Sequence, residues 1–153
     1  MTDPQATTLT LTRHIPAPPA AVADAIASPY GLGHWLCDDA LVQARAGGGV
    51  SLRHSGGITW QGHWTTYEKP GRLGWTVRDA EGRTESADFT LTADGVGTRV
   101  EVAVGGDGVG GGGDGSDAEA RAAWTRRLDD LAEHATTGRN ARLARRPMLG
   151  VAP

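Results

Sequence analysis

The stretch 59-TWQGHWTTYEKPGRLGWTV-77 holds two apolar runs separated by the sequence Pro70-Gly71. In each run the large apolar residues recur at every second position, which is typical of a strand with one buried face. A Pro-Gly pair favours a tight turn, because proline presets its own backbone angle and glycine tolerates a left-handed one. The stretch therefore predicts an antiparallel hairpin with a buried aromatic face. The residues on that face are Trp60, Gly62, Trp64, Leu73, Trp75 and Val77.

Similar alternation flanks this hairpin on both sides. Residues 8–15 predict a first strand, and later runs that include the hairpin predict six more, separated by Gly, Asp and Pro as in an antiparallel meander. These six runs cover residues 40–46, 49–55, 58–68, 72–78, 85–92 and 98–104. The buried phase continues through Phe89, Leu91, Val100, Val102 and Val104, and the opposite phase holds Arg53, His63, Arg78 and Arg99. The pattern predicts a sheet with one buried and one solvated face.

Two short helices are predicted between the first and second strands. Residues 18–28 place Val22 and Ile26 four apart among alanines, which gives a short apolar stripe ending at Pro29. A second helical turn then holds Leu32, Trp35 and Leu36.

A long helix is predicted after the last strand. Ser116 with Glu119 forms a capping box at its start, and Gly138 is the expected stop. The apolar stripe of this helix consists of Trp124, Leu128, Leu131 and Ala135. Asp130 is expected to pair with Arg126 and His134 on the outer surface. The fold class is therefore α+β.

Length and charge limit the organisation and the partners. A chain of 153 residues can build one substantial core, and we predict one domain over residues 1–138 followed by a basic tail over residues 139–153. The formal net charge of −3 provides no field that attracts nucleic acid or an anionic membrane, so neither is expected as a partner. The tail could bind an acidic partner, but the favoured interpretation is a solvated extension that packs back on the domain.

Composition favours a bacterial, cytoplasmic protein. Lys69 is the only lysine, and Ala and Gly abound, a bias typical of GC-rich genomes. The first residues lack the basic and apolar regions of a signal peptide, and no run of about 18 apolar residues occurs. Cys37 has no second cysteine for an internal disulfide, which agrees with a reducing compartment.

The order of elements, together with four segments, resembles a known superfamily. The segments are 8-TLTLTRHIPAPPAAVADAI-26, 32-LGHWLCDDALVQARAGGGVSL-52, the hairpin above and 89-FTLTADGVGTRVEV-102. The chain is similar to the START-like, or SRPBCC, superfamily and within it to the bacterial AHSA-type domains, homologues of the heat-shock-protein-90 ATPase activator. The resemblance implies a helix-grip fold, in which a curved antiparallel sheet of about six or seven strands packs across a long C-terminal helix. Because the superfamily includes lipid carriers, polyketide cyclases and co-chaperone-like domains, the fold alone assigns no function.

The helix-grip geometry implies a cavity between the sheet and the long helix. An aromatic lining suits a flat, apolar or polycyclic ligand, although each of these residues could instead simply fill the core. The expected ligand-binding residues are Trp35, Trp60, Trp64, Trp75, Phe89, Val102, Trp124 and Leu128. No cofactor is expected, and no metal ion either, since His34 and Cys37 have no second pair at ligand spacing.

Motifs for catalysis are few. Gly-x-Ser-x-Gly does not occur, and Cys37 precedes two aspartates that disfavour a reactive thiolate. Residues 106–111 match G-x-G-x-x-G, but a dinucleotide fold would need a helix to start directly there and a strand to follow. His54, in phase with Val50 and Leu52, is the best candidate for a general acid or base, and a solvated histidine at a strand end is the alternative.

Three function classes follow, in this order. The first is non-catalytic binding of a small hydrophobic molecule, with affinity from an apolar cavity and selectivity from polar groups at its mouth. The second is a co-chaperone-like or other protein-interaction module, which predicts a filled core and an exposed patch. The third is an enzyme of the polyketide cyclase, aromatase or dehydratase type that uses His54 or a carboxylate facing the cavity.

Overall fold

The computed structural model describes residues 9–107 and 114–141. Within them the chain forms seven strands, three α-helices and one short 3-10 turn. The elements are β1 (Leu9–Ile15), α1 (Pro19–Ala27), α2 (Pro29–Trp35), β2 (Asp39–Val42), β3 (Gly49–Arg53), the 3-10 turn (Ser55–Gly57), β4 (Thr59–Glu68), β5 (Arg72–Arg78), β6 (Thr84–Asp94), β7 (Gly97–Gly106) and α3 (Asp114–Thr137).

The strands form one curved antiparallel sheet in the order β1-β7-β6-β5-β4-β3-β2. Every strand after β1 pairs with the next one along the chain, and β1 closes against β7, so β1 and β2 are the two edges. The helices α1 and α2 connect the edges, and α3 packs against β1, α1 and α2. This arrangement confirms the α+β helix-grip prediction.

The register confirms the predicted buried face. Trp64 lies opposite Trp75 and Leu73 lies opposite Phe89, which in turn lies opposite Val102. A bulge after Trp64 shifts the β4 register, so that Tyr67 faces Leu73 and packs against the core. Burying a side chain such as Phe89 contributes about 1.5–3 kcal/mol, so this face is the main source of stability.

Strand β2 is shorter than predicted, ending at Val42 and not at residue 46. The chain turns there because Gln43 N donates to the Gly49 carbonyl at 2.9 Å, and the Gln43 side-chain oxygen accepts from Gly49 N at 2.8 Å. The strands β6 and β7 are longer than predicted, because a tight turn at Gly95 lets their pairing run to Asp94 and Gly97.

Helix boundaries follow from local chemistry. Pro29 cannot donate a backbone hydrogen bond to Ala25, so the Trp35 indole N–H donates to that carbonyl instead, at 2.9 Å, and ties α2 to α1. Gly138 stops α3 as predicted, with φ of 77° and its N–H donating to the His134 carbonyl at 2.7 Å. Because α3 begins at Asp114, Ser116 is inside its first turn. The structure does not describe the side chain of Ser116, so the capping box stays a prediction.

The prediction that Asp130 and His134 lie on an outer surface was wrong. Both are buried, with 6% and 8% of their surface exposed. The cause is that α1 and α2 pack against α3, so this part of the helix buries more than its apolar stripe. The His134 ring stacks on His34 of α2 with ring centroids 4.8 Å apart, and its Nδ1 lies 3.0 Å from the Arg139 carbonyl.

Two sequence features extend beyond the described part of the chain. They are the predicted basic tail, of which residues 142–153 are not described, and the G-x-G-x-x-G match, of which residues 108–111 are not described. No helix in the described part is both long and apolar enough to cross a membrane.

Candidate ligand-binding site

A cleft of about 470 Å³ opens between α3 and the sheet. The start of β4, the start of β6, the end of β7 and the N-terminal half of α3 surround it. Its lining consists of Ile58, Trp60, Arg83, Thr84, Glu85, Gly105, Asp107, Glu119, Ala120, Ala123, Trp124 and Arg127. The volume is within the range of small-molecule sites in proteins.

Two tryptophans form the apolar walls of the cleft. Trp60 is half-buried on β4, whereas Trp124 on α3 is only 2% exposed and packs into the core. Ala120 and Ala123 are the helix residues beside Trp124 that line the cleft, and both are half-buried. Because alanine side chains are short, they leave space between this part of α3 and the sheet.

The polar edge of the cleft is built around Arg127. Its guanidinium lies 4.7 Å from the centre of the Trp124 ring, in a cation–π contact. The same group is 3.5 Å from the Glu85 carboxylate, and both side chains are about a quarter exposed. This pair places a donor-rich group and an acceptor next to an aromatic wall.

Hydrogen bonds in and beside the turn before β6 support the sheet side of the cleft. Asp107 accepts a hydrogen bond from Thr84 N at 2.8 Å, which joins the start of β6 to the end of β7. Asp79 accepts from Arg83 Nε at 2.8 Å and from the backbone N–H groups of Glu81 and Arg83. Burial by itself raises the pKa of the Asp79 carboxyl, but these hydrogen bonds and the Arg83 charge outweigh it and lower that pKa below 3.8.

The eight predicted ligand-binding residues fall into two groups. Trp60 and Trp124 line the cleft. The other six are buried in the core at 2% exposure or less: Trp35, Trp64, Trp75, Phe89, Val102 and Leu128. Phe89 is at the centre of the aromatic residues, with ring centroids 5.5 Å from Trp75, 6.1 Å from Trp124 and 6.2 Å from Trp35.

Sequence reasoning missed Arg127 and Glu85. Glu85 has the same strand phase in β6 as Phe89, and Arg127 lies three residues after Trp124 on α3. The sequence could therefore have indicated that each side chain faces the space between the sheet and the helix. The two residues are 42 positions apart in the chain, and only the packing of α3 on the sheet brings them together.

His54 is half-buried between β3 and the 3-10 turn. The backbone N–H of His54 donates to the Ile58 carbonyl at 2.7 Å, and the His54 carbonyl accepts from Gly57 N at 3.1 Å. The backbone of His54 therefore closes the hairpin between β3 and β4. It is not among the residues that line the cleft. Among the described residues, no group of three or more His, Cys, Asp and Glu side chains is arranged to hold a metal ion.

A second, shallower groove of about 360 Å³ follows the β2 edge. Leu41, 71% exposed, borders it together with Pro29 and Val42.

Comparison with known families agrees with this architecture. Residues 6–136 match the family described as polyketide cyclase / dehydrase and lipid transport. The chain belongs to this family. Family membership and the observed sheet and helices together confirm the resemblance to SRPBCC proteins. No protein of curated function matches the sequence significantly.

Several solved protein structures share this fold at low sequence identity. DynU16, from the dynemicin biosynthetic locus, has a TM-score of 0.74 at 20% identity, covering 88% of this chain and 49% of that one. CalU16 from Micromonospora echinospora has a TM-score of 0.68 at 20% identity over 90% and 83% of the two chains. The Aha1 dimer from Colwellia psychrerythraea has a TM-score of 0.70 at 19% identity over 86% and 98%. At these identities the similarity establishes the fold only.

Proposed function

We propose that this protein binds a small apolar molecule containing one or more rings, without catalysing its conversion. The observation that supports this most directly is the cleft, whose lining includes Trp60 from β4 and Trp124 from α3. Membership of a family whose description includes lipid transport agrees with such a ligand.

The chemistry of the cleft favours binding. A ring system placed against the half-buried Trp60 gains stacking in addition to area burial. Arg127, held by Trp124 and Glu85, can orient a polar substituent at the edge. Neither His nor Cys occurs among the described lining residues. The Glu85 carboxylate pairs with Arg127, the Asp107 carboxylate accepts from Thr84 N, and Glu119 is exposed. The arrangement therefore supports holding a ligand better than transferring a proton to it.

A matched pair of helix variants tests the proposal. Ala123→Met fills the cleft, whereas Ala122→Met makes the same change at an exposed neighbour that does not line it. Full-length protein is titrated with a panel of two- to four-ring compounds, and tryptophan fluorescence and calorimetry measure binding. We expect saturable binding that Ala123→Met weakens about tenfold, or about 1.4 kcal/mol, and that Ala122→Met leaves unchanged. Equal effects of both variants, or no binding across the panel, would overturn the proposal.

The second candidate is a protein-interaction module of the co-chaperone type, and the exposed Leu41 beside its groove favours it. A bacterial heat-shock protein 90 is the partner to test, because of the similarity to Aha1. Leu41→Asp should abolish binding of that purified chaperone, and Val96→Asp, at a residue 93% exposed in the β6–β7 turn, should not. Failure of the wild-type protein to bind the chaperone would remove this candidate.

A further inference from the structure

The β2 edge of the sheet carries an apolar surface that is open in the described part of the chain. Leu41 is 71% exposed, and together with Pro29 and Val42 it borders the shallow groove of about 360 Å³. Because β2 is a terminal strand, only β3 pairs with it among the described residues. Native proteins usually protect such an edge with charged side chains, a bulge or a covering segment.

The backbone of β2 also presents hydrogen-bonding groups on this side. Gln43 N donates to the Gly49 carbonyl, and the alternation of an antiparallel ladder then turns the N–H and C=O of Val42 away from β3. Ala40 has the same orientation, and its N–H donates to the Asp39 side chain at 3.0 Å. An extended segment that lies along β2 can therefore pair with the backbone of Val42.

The described chain ends on the side of the domain that carries this groove. After α3, the Arg139 carbonyl lies 3.0 Å from Nδ1 of His134, so the chain turns back along the helix, and Ala141 is buried. The His134 ring lies 6.0 Å from the ring of Tyr30 in α2. Tyr30 directly follows Pro29, which borders the groove. The segment 142–153 therefore starts close to one end of the groove.

This C-terminal segment, 142-RLARRPMLGVAP-153, has the length and the composition to cover the groove. Its twelve residues can span about 40 Å when extended, so reach is not limiting. The run 148-MLGV-151 provides apolar side chains, and three arginines precede it. Asp38 and Asp39, both exposed at the start of β2, favour the approach of that positive charge.

We propose that the C-terminal segment docks along the β2 edge of its own molecule, with the run 148–151 against Leu41 and a backbone hydrogen bond to Val42. Its tether gives the segment an effective concentration of about a millimolar, which favours it over a second copy of the chain at ordinary protein concentrations. This inference is independent of the cleft and its ligand. It implies that a protein partner must displace the segment before it can contact Leu41.

Paramagnetic relaxation tests the contact in the full-length protein. A nitroxide is attached through Pro153→Cys, and the fully buried Cys37 is not expected to react. We expect the nitroxide to cause a strong loss of amide signal intensity at Leu41 and Val42. The signal of Val96, in the β6–β7 turn beyond the intervening strands β3, β4 and β5, should keep its intensity. Loss of intensity only at other surfaces, or at none, would overturn the proposal.

Two variants and one mixture complete the test. Leu149→Asp should restore the Leu41 and Val42 signals, because a carboxylate is costly to bury against an apolar surface. Ala152→Asp adds the same charge outside the apolar run and should leave the loss of intensity in place. In a mixture of nitroxide-labelled ¹⁴N protein with unlabelled ¹⁵N protein, no loss is expected. Equal release by both variants, or loss of intensity at Leu41 in the mixture, which indicates a second copy, would contradict the proposal.

Discussion

The two halves of α3 differ in what they pack against. At the C-terminal half, Leu131 is fully buried, Ala132 is 5% exposed, and even His134 is covered by its stack on His34 of α2. At the N-terminal half, Ala120 and Ala123 are half-buried and line the cleft. One helix therefore has a closed end that holds it to the fold and an open end that borders the cleft. The difference predicts that substitutions can change stability at the closed end separately from the proposed binding at the open end.

The largest expected effect is at the closed end. Leu131→Ala should lower the free energy of unfolding by about 2–5 kcal/mol, because it creates a cavity at a fully buried position. Ala123→Met at the open end should change it by less than about 1 kcal/mol, since the side chain enters existing space. Urea unfolding followed by circular dichroism measures both. Comparable losses from the two variants would mean that the open end is packed as tightly as the closed one.

Tryptophans that share the same core sharpen the comparison. Trp35→Phe and Trp75→Phe each replace a fully buried indole by a smaller ring, so their cavity terms are similar. Trp35→Phe also leaves the Ala25 carbonyl without its donor. Trp75→Phe instead removes a buried indole N–H that has no hydrogen-bond partner among the described residues. We expect Trp35→Phe to be the more destabilising by about 1–3 kcal/mol in the same unfolding assay. The reverse order would show that the Trp75 N–H has a partner in solution.

The smallest effect concerns the turn that supports the open end. Because the pKa of Asp79 is lowered in the folded state, its carboxylate stabilises the fold above pH 3.8, and this contribution is lost as the pH falls through the lowered value. Asp79→Asn should therefore be less stable than the wild type at neutral pH, and the difference should vanish in acid. Thermal unfolding at a series of pH values measures it, with Glu101→Gln on the exposed face as the control. A pH-independent difference would contradict the assignment.

The sequence predicted the sheet well because strand phase is a local property. The alternation around Trp64, Trp75 and Phe89 specified which face is buried, and the seven strands followed from the turns between them. The same phase could not separate Trp60, which lines the cleft, from Trp64, which fills the core. That distinction depends on where α3 lies over the sheet.

The helices show the same limit. From the helix sequence alone, polar side chains such as Asp130 are predicted to face solvent. They are buried because α1 and α2 pack against α3. The Arg127–Glu85 pair could not be predicted from spacing either, since its members come from α3 and β6. Long-range packing, and not local pattern, decides the candidate site.

The most direct test of the central claim is to locate a bound probe by intermolecular nuclear Overhauser effects. In the complex with the tightest-binding compound of the two- to four-ring panel, we expect contacts from the probe to the methyl groups of Ala120 and Ala123, and none to Leu131 or Ala132. That pattern would place the ligand at the open end of the grip, between α3 and the starts of β4 and β6. Contacts to Leu131 or Ala132, or saturable binding without contacts to Ala120 and Ala123, would contradict the account.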